Sequence, residues 1–175
     1  MATATLVSVE EYLASIWHPD RDYVDGELIE RNMGELSHGR LQALMSAWLI
    51  RREARWRMKT VTEVRLQIGS SRFRIPDVMV LSSDAPHEEI VKTPPLLCIE
   101  ILSPEDRMSR VMERVRDYFQ IGVPVCWIID PALRSAWVAT PGHLAEPADG
   151  ILRAGEIEMP LAQVLEAQAL EPPVA

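Results

Sequence analysis

The sequence has little cysteine. Cys98 and Cys126 are the only two in 175 residues, and each sits in an apolar run, "PLLCIEIL" and "VPVCWIID". Both are expected as reduced core residues rather than as a disulfide or a metal pair. No Cys/His spacing resembles a zinc site, and His18, His87 and His143 fall in loops that carry proline or glycine. Long apolar runs are missing too. None approaches the roughly 18 residues of a membrane helix. The opening "MATATLVSVEEYL" lacks the basic region and apolar block of a secretory leader. The expectation is a soluble cytoplasmic chain with no membrane partner. Internal repeats and low-complexity segments do not stand out. Positive charge is short as well: 18 Lys and Arg face 26 Asp and Glu, a net charge of −8. That argues against a general nucleic-acid coat protein, but not against an enzyme that meets nucleic acid through a local cationic patch.

What is present suffices for a core. The apolar fraction of 47% is ordinary for a globular protein, and the length suits one domain over residues 1–175. Positive charge gathers in "RREARWRMK", Arg51 to Lys59, with five basic residues against Glu53 and with Trp48 and Trp56 in or beside it. Two readings stand: a solvated helix face, or a basic helix 51–59 for backbone phosphates.

Patterning predicts the elements. Ser8 and Glu11 form a capping-box pattern ahead of "EEYLASIW". "RDYVDGELIERNM" reads as a hairpin turning at Asp25-Gly26. Leu41, Leu44, Met45, Trp48 and Leu49 share one face of a helix over "HGRLQALMSAWLIRREARW". "TVTEVRLQI" and "RFRIPDVMVL" read as two strands around "GSS", although the second carries Pro76 and Asp77, poor strand residues, in its middle. "PLLCIEILS" and "VPVCWIIDP" read as strands buried on both faces. Between them lies a helix with Val111, Val115, Tyr118 and Phe119 as its stripe and Gly122 as its stop. A turn at Asp130-Pro131 leads to "RSAWVAT", and the tail closes on a short helix before a loose "EPPVA". The fold class expected is α/β (α+β): a mixed β-sheet flanked by helices.

Three acids, Glu63, Asp77 and Glu100, lie inside predicted strands among apolar residues, where a carboxylate is costly without a partner. If Gly69-Ser70-Ser71 is a three-residue loop, Ile68 pairs with Arg72, paired numbers sum to 140, and Glu63 falls opposite Asp77. Carboxylates that close repel unless a proton or cation lies between them. If Glu100 points the same way, three carboxylates converge, a donor set suited to Mg²⁺ or Mn²⁺. The alternative is that each acid caps a backbone group or pairs with Arg65, Arg74 or Arg116.

Pro76-Asp77 followed by Glu100 on the next strand resembles the PD-(D/E)XK nuclease superfamily. The wider frame is similar to the Uma-type putative restriction endonucleases of bacteria, through "DYVDGELIERN", "HGRLQ", "TEVRL", "RFRIPDVMVL", "PPLLCIEILSPEDR", "RDYFQIGVPVCWIIDP" and "LRAGEIEMPLAQV". The resemblance implies a restriction-endonuclease-like αβββαβ core at about residues 36–140, with an N-terminal helix and hairpin and a C-terminal hairpin and short helix. It implies metal-dependent cleavage of DNA, with Asp77 and Glu100 as ligands of Mg²⁺ (or Mn²⁺) and Glu63 at an acidic position on the strand before. The lysine expected two residues after the glutamate is Leu102 here. Uma-type sequences supply a lysine from the following helix, and that position is Arg114, one turn from Tyr118. Arginine stays charged, so Arg114 suits phosphate stabilisation rather than general base work. His38, which opens the first core helix, could touch substrate or cap the helix, and the cap is the expectation. DNA is the expected partner and a homodimer the expected assembly. The rival is a catalytically degenerate member that binds nucleic acid or protein, or a structural dimer.

Overall fold

The computed structural model describes residues 6–31 and 35–169. In chain order the elements are α1 (Val9–Ala14), β1 (Arg21–Val24), β2 (Glu27–Glu30), α2 (Leu36–Ile50), α3 (Glu53–Trp56), β3 (Met58–Thr62), β4 (Leu66–Gly69), β5 (Arg72–Arg74), β6 (Val78–Ser82), β7 (Leu97–Ile101), α4 (Met108–Gln120), β8 (Cys126–Asp130), β9 (Ser135–Thr140), β10 (His143–Ala145), β11 (Ile151–Ala154), β12 (Ile157–Pro160) and α5 (Leu161–Ala169). Six strands form a sheet in the order β10-β9-β8-β7-β6-β3, four form a second sheet β2-β1-β5-β4, and β11 pairs with β12.

β7 and β8 are apolar on both faces because the six-stranded sheet is covered on both. They are its parallel pair, joined through α4, and their neighbours run antiparallel. One face carries Val78, Val80, Leu97, Ile99 and Ile101 against Leu41, Met45 and Leu49 of α2 and against Leu161, Val164 and Leu165 of α5. The other carries Met79, Leu81, Cys98, Cys126 and Ile128 against Val111, Val115 and Tyr118 of α4. Both cysteines are free and buried. No helix among the described residues is long and apolar enough to cross a membrane.

Local signals act where they were expected. The Ser8 hydroxyl accepts from the Glu11 amide at 3.1 Å. Asp25 and Gly26 have φ of 50° and 97° and close the β1–β2 hairpin. Gly122, at φ 96°, follows the end of α4. Asp130 accepts from the amides of Ala132 and Leu133 in the turn before β9. The hairpin's continuation into Asn32 and Met33, and the tail "EPPVA", lie outside the described residues.

Three expectations are corrected. The two long strands are each broken in two. "TVTEVRLQI" becomes β3 and β4, separated by Glu63 at φ 55°. "RFRIPDVMVL" becomes β5 and β6, separated by Ile75-Pro76-Asp77. Proline cannot donate to a ladder, and both arms bend together at this point, so β3–β6 belongs to one sheet and β4–β5 to the other. The loop is also shorter than expected. Gly69 pairs with Arg72 around Ser70-Ser71, and a bulge at Ile68 restores the sum of 140 at Gln67↔Phe73 and Leu66↔Arg74. The same sum runs through β3 and β6, as in Thr62↔Val78. Finally, residues 51–59 are not one helix. α2 stops at Ile50, α3 ends on Arg57 in the left-handed region, and Lys59 already lies in β3. Arg52 stacks 3.5 Å over the Trp48 ring and bonds its carbonyl.

Candidate active site

The break in the strands places Asp77 at the mouth of the sheet. β6 and β7 pair as Val78↔Ile99, Met79↔Cys98 and Val80↔Leu97. One further step along that register sets Asp77 beside Glu100, and Asp77 Oδ2 accepts from the Ile101 amide at 2.7 Å. Both acids are buried, 3% and 2% exposed, and both line one cavity of about 290 Å³ with Arg31, His38, Arg74 and Arg114.

Each acid has its own cation. Asp77 Oδ1 receives Arg31 Nη2 at 2.5 Å and His38 Nε2 at 3.5 Å. Burial alone would raise the Asp77 carboxyl, but the His38 hydrogen bond, the Arg31 charge and the Ile101 amide hold it below the usual range. Glu100 Oε2 receives Arg114 Nε at 2.8 Å, and the Tyr118 hydroxyl donates to Oε1. Here burial wins: the Glu100 carboxyl is pushed up to about 7 against Arg114, with the Asp77 charge adding to the rise. His38 loses to burial but gains more from Asp77, so it holds its proton more tightly than a free imidazole.

Glu63 stands apart. It does not line the cavity, and its carboxylate meets Asp77 only through Arg31, whose Nη1 pairs with Glu63 Oε2. Gln42 Nε2 completes the link, donating at 2.8 Å both to Glu63 Oε1 and to the Asp77 carbonyl. Among the described residues no three His, Cys, Asp or Glu side chains are grouped to hold an ion. The structure therefore joins Asp77, Glu100 and Arg114, and sets Glu63 one guanidinium away. None of the three acids pairs with Arg65, Arg74 or Arg116. Arg65 goes to Asp20, and Arg74 to Asp22 and Asp117.

His38 is not the cap of α2, which is Glu35 without a side-chain bond. It sits in the first turn and points inward, its Nδ1 3.5 Å from the Ser103 hydroxyl. Gln42, four residues on, shares that face. The available signal was a polar pair at i,i+4 on the stripe that Leu41, Met45 and Leu49 bury, where polar side chains are out of place. Arg31 and the ion network below the cavity left no local signal. In that network the buried Arg74 bonds Asp117 at 2.7 Å and Asp22 at 2.9 Å. Asp22 Oδ1 accepts from the Ile75 amide at 3.0 Å. Asp22 thus holds the backbone two residues before Asp77, while Asp117 belongs to the helix that carries Arg114 and Tyr118.

Asp77, just before β6, and Glu100, in β7, are two buried acids brought together with Arg114 and Tyr118 of α4. A family described as Uma2, "Putative restriction endonuclease", matches residues 9–166. The chain belongs to this family. The Uma2 frame thus spans the described part of the chain from α1 to α5. A solved structure from Anabaena variabilis, described as a putative nuclease belonging to DUF820, superposes with a TM-score of 0.79 at 18% identity, covering 93% of this chain and 99% of that one. At that identity the likeness shows the fold, a restriction-endonuclease-like mixed sheet flanked by helices. A second similarity, to the DrdV–DNA complex, has a TM-score of 0.37 at 19% identity and covers 75% of this chain and 11% of that one. No curated protein matches.

Proposed function

We propose that this Uma2 protein is a metal-dependent endonuclease that hydrolyses DNA phosphodiester bonds. The observation that supports it most is the pairing of Asp77 with Glu100 across β6 and β7, both buried and both open to one cavity. The donor set fits Mg²⁺ or Mn²⁺: hard oxygen ligands, one or two carboxylates, and space for the waters that Mg²⁺ keeps. Burial pushes the Glu100 carboxyl up to about 7 in spite of Arg114, and a divalent ion at that carboxyl would favour its charged form. Asp77 and Glu100 would hold the ion, with Glu63 as an assisting acid. Bound there, a divalent ion would bind a phosphate oxygen, lower the pKa of a water and stabilise the leaving oxygen. Arg114 faces the cavity with Nη2 3.9 Å from Asp106, and gives fixed positive charge to the phosphate in flight. Tyr118 fixes the Glu100 carboxylate, and His38 with Gln42 fixes Asp77.

We read the chain as one nuclease domain working as a homodimer, since cutting both strands together with one site per chain favours two copies. A second reading has one specific support. Leu102, where the superfamily expects lysine, packs into the apolar cluster under α4, which suits a catalytically degenerate module that binds nucleic acid or protein. Supercoiled plasmid incubated with the protein and Mg²⁺ or Mn²⁺ separates the two. Nicking that is lost with EDTA and in Asp77→Ala supports the endonuclease. Nicking that persists in Asp77→Ala removes it. DNA affinity without nicking selects the second reading.

A further inference from the structure

Arg31 follows directly on β2, the edge strand of the smaller sheet, yet its side chain ends in the main site. Its two terminal nitrogens clasp Asp77 and Glu63, and its side chain is 20% exposed. Two carboxylates that lie just beyond the last β3–β6 pair, Thr62↔Val78, and converge on one point repel unless a cation lies between them. Here that cation is the guanidinium. It takes Asp77 Oδ1, the oxygen that the Ile101 amide leaves free, so the oxygen open to an incoming metal ion is already occupied. Arginine does not lose its charge in proteins, so no pH change within the working range releases it. It leaves only for another anion. Arg31 lines the cavity together with Arg74, Arg110 and Arg114, and the anion that matches its planar fork is a phosphate.

We propose that Arg31 is a built-in counter-ion that competes with the divalent cation for Asp77 and is drawn off by a substrate phosphate, so that cation and DNA load together. The inference rests on the metal-dependent reading above. Withdrawal of Arg31 also frees Glu63, which supplies the acid that stands one guanidinium away from the pair.

Calorimetric titration with Mn²⁺ tests it on four proteins: wild type, Arg31→Gln, Arg31→Lys, and Arg153→Gln as a remote surface control. Each is titrated alone and with a short phosphorothioate duplex. Arg31→Gln alone should bind Mn²⁺ about tenfold tighter than wild type, the factor that ~1.4 kcal/mol of relieved competition represents. The duplex should tighten Mn²⁺ binding by wild type and by Arg153→Gln more than by Arg31→Gln, where only the phosphate's own contact with the ion remains. Arg31→Lys keeps the charge and should stay near wild type. Linkage requires Mn²⁺ to tighten duplex binding to wild type by the same factor. Equal Mn²⁺ affinity in wild type and Arg31→Gln, or no duplex effect on wild type, overturns the inference and leaves the nuclease reading standing. Circular dichroism of each variant confirms that it is folded before its titration is compared with wild type. Failure of every protein to bind Mn²⁺ overturns the metal site and the inference with it.

Discussion

Arg74→Met is the perturbation that the ion network makes most informative. Arg74 is 5% exposed and gives Nε to Asp117 at 2.7 Å and Nη1 to Asp22 at 2.9 Å. Methionine fills much of its volume but leaves two buried carboxylates facing each other without their shared cation. Breaking a buried ion pair from one side costs roughly 3–5 kcal/mol. Two contacts soften the loss. Asp117 keeps Arg72 at 2.9 Å, and Asp22 keeps the Ile75 amide at 3.0 Å. The lower end, about 3 kcal/mol, is therefore expected. That is a large part of the ~5–15 kcal/mol that holds a domain of this kind together. For a chain of this size each kcal/mol lowers Tm by roughly 2–4 °C, so the drop should be on the order of 10 °C by circular dichroism. Adding Asp22→Asn and Asp117→Asn removes the stranded charges and should recover most of the loss. A drop of less than about 1 kcal/mol in Arg74→Met, or a triple variant no more stable than the single one, refutes the reasoning.

The remaining predictions follow from the site and the core. The Glu100 carboxyl, pushed by burial from an ordinary 4.5 up to about 7, binds its proton more tightly in the folded state. Its contribution favours folding below about pH 4.5 and is lost as pH rises to about 7, so the metal-free protein should lose Tm across that window while Glu100→Gln does not. His38, also raised, adds a loss only above its ordinary 6.5, and Asp77, lowered, acts only below 3.8; neither can mimic the effect between pH 5 and 6. Burial pushes both the Cys98 and Cys126 thiols well above their usual range, so neither should react with a thiol reagent until the protein is unfolded by urea; a fast native equivalent contradicts the burial. Arg114→Ala should abolish any nicking activity and also destabilise the protein, because Glu100 keeps only Tyr118, whereas Arg114→Lys should retain nicking; equal rates in all three proteins remove Arg114 from the reaction.

Much of this architecture was legible where signals are local. Apolar runs gave β7 and β8, a helical stripe gave α4, and Asp25-Gly26 gave the first hairpin. Asp77 and Glu100 stood out as acids in apolar strands and then through resemblance, and one step beyond the register of β6 with β7 sets them side by side. What stayed hidden has a common physical cause. Arg31 reaches Asp77 across 46 positions, Arg74 reaches Asp22 across 52 and Asp117 across 43. No period of 2 or 3.6 encodes such contacts. The double break was hidden for a different reason: alternation continues through Val64, Leu66 and Ile68, so the pattern of a straight strand survives a bend. Pro76 was the trace of it. The compensating errors at the tip, a shorter loop and a bulge, show why a sum of paired numbers can be right beyond a turn that is wrong.

The shared bend at Glu63 and Asp77 gives the hairpin the form of a jointed arm. Its proximal half is bolted into the six-stranded sheet, and its distal half, tipped by Ser70-Ser71, belongs to the smaller one. The bulge at Ile68 absorbs one residue before the register reaches the joint. Lengthening the tip by a residue or two therefore alters the arm's reach while the acids at the elbow keep their places. Insertions between Glu63 and Leu66, or between Arg74 and Val78, have no such buffer and displace the acids directly. The chain can vary one end of this lever without recalibrating the other.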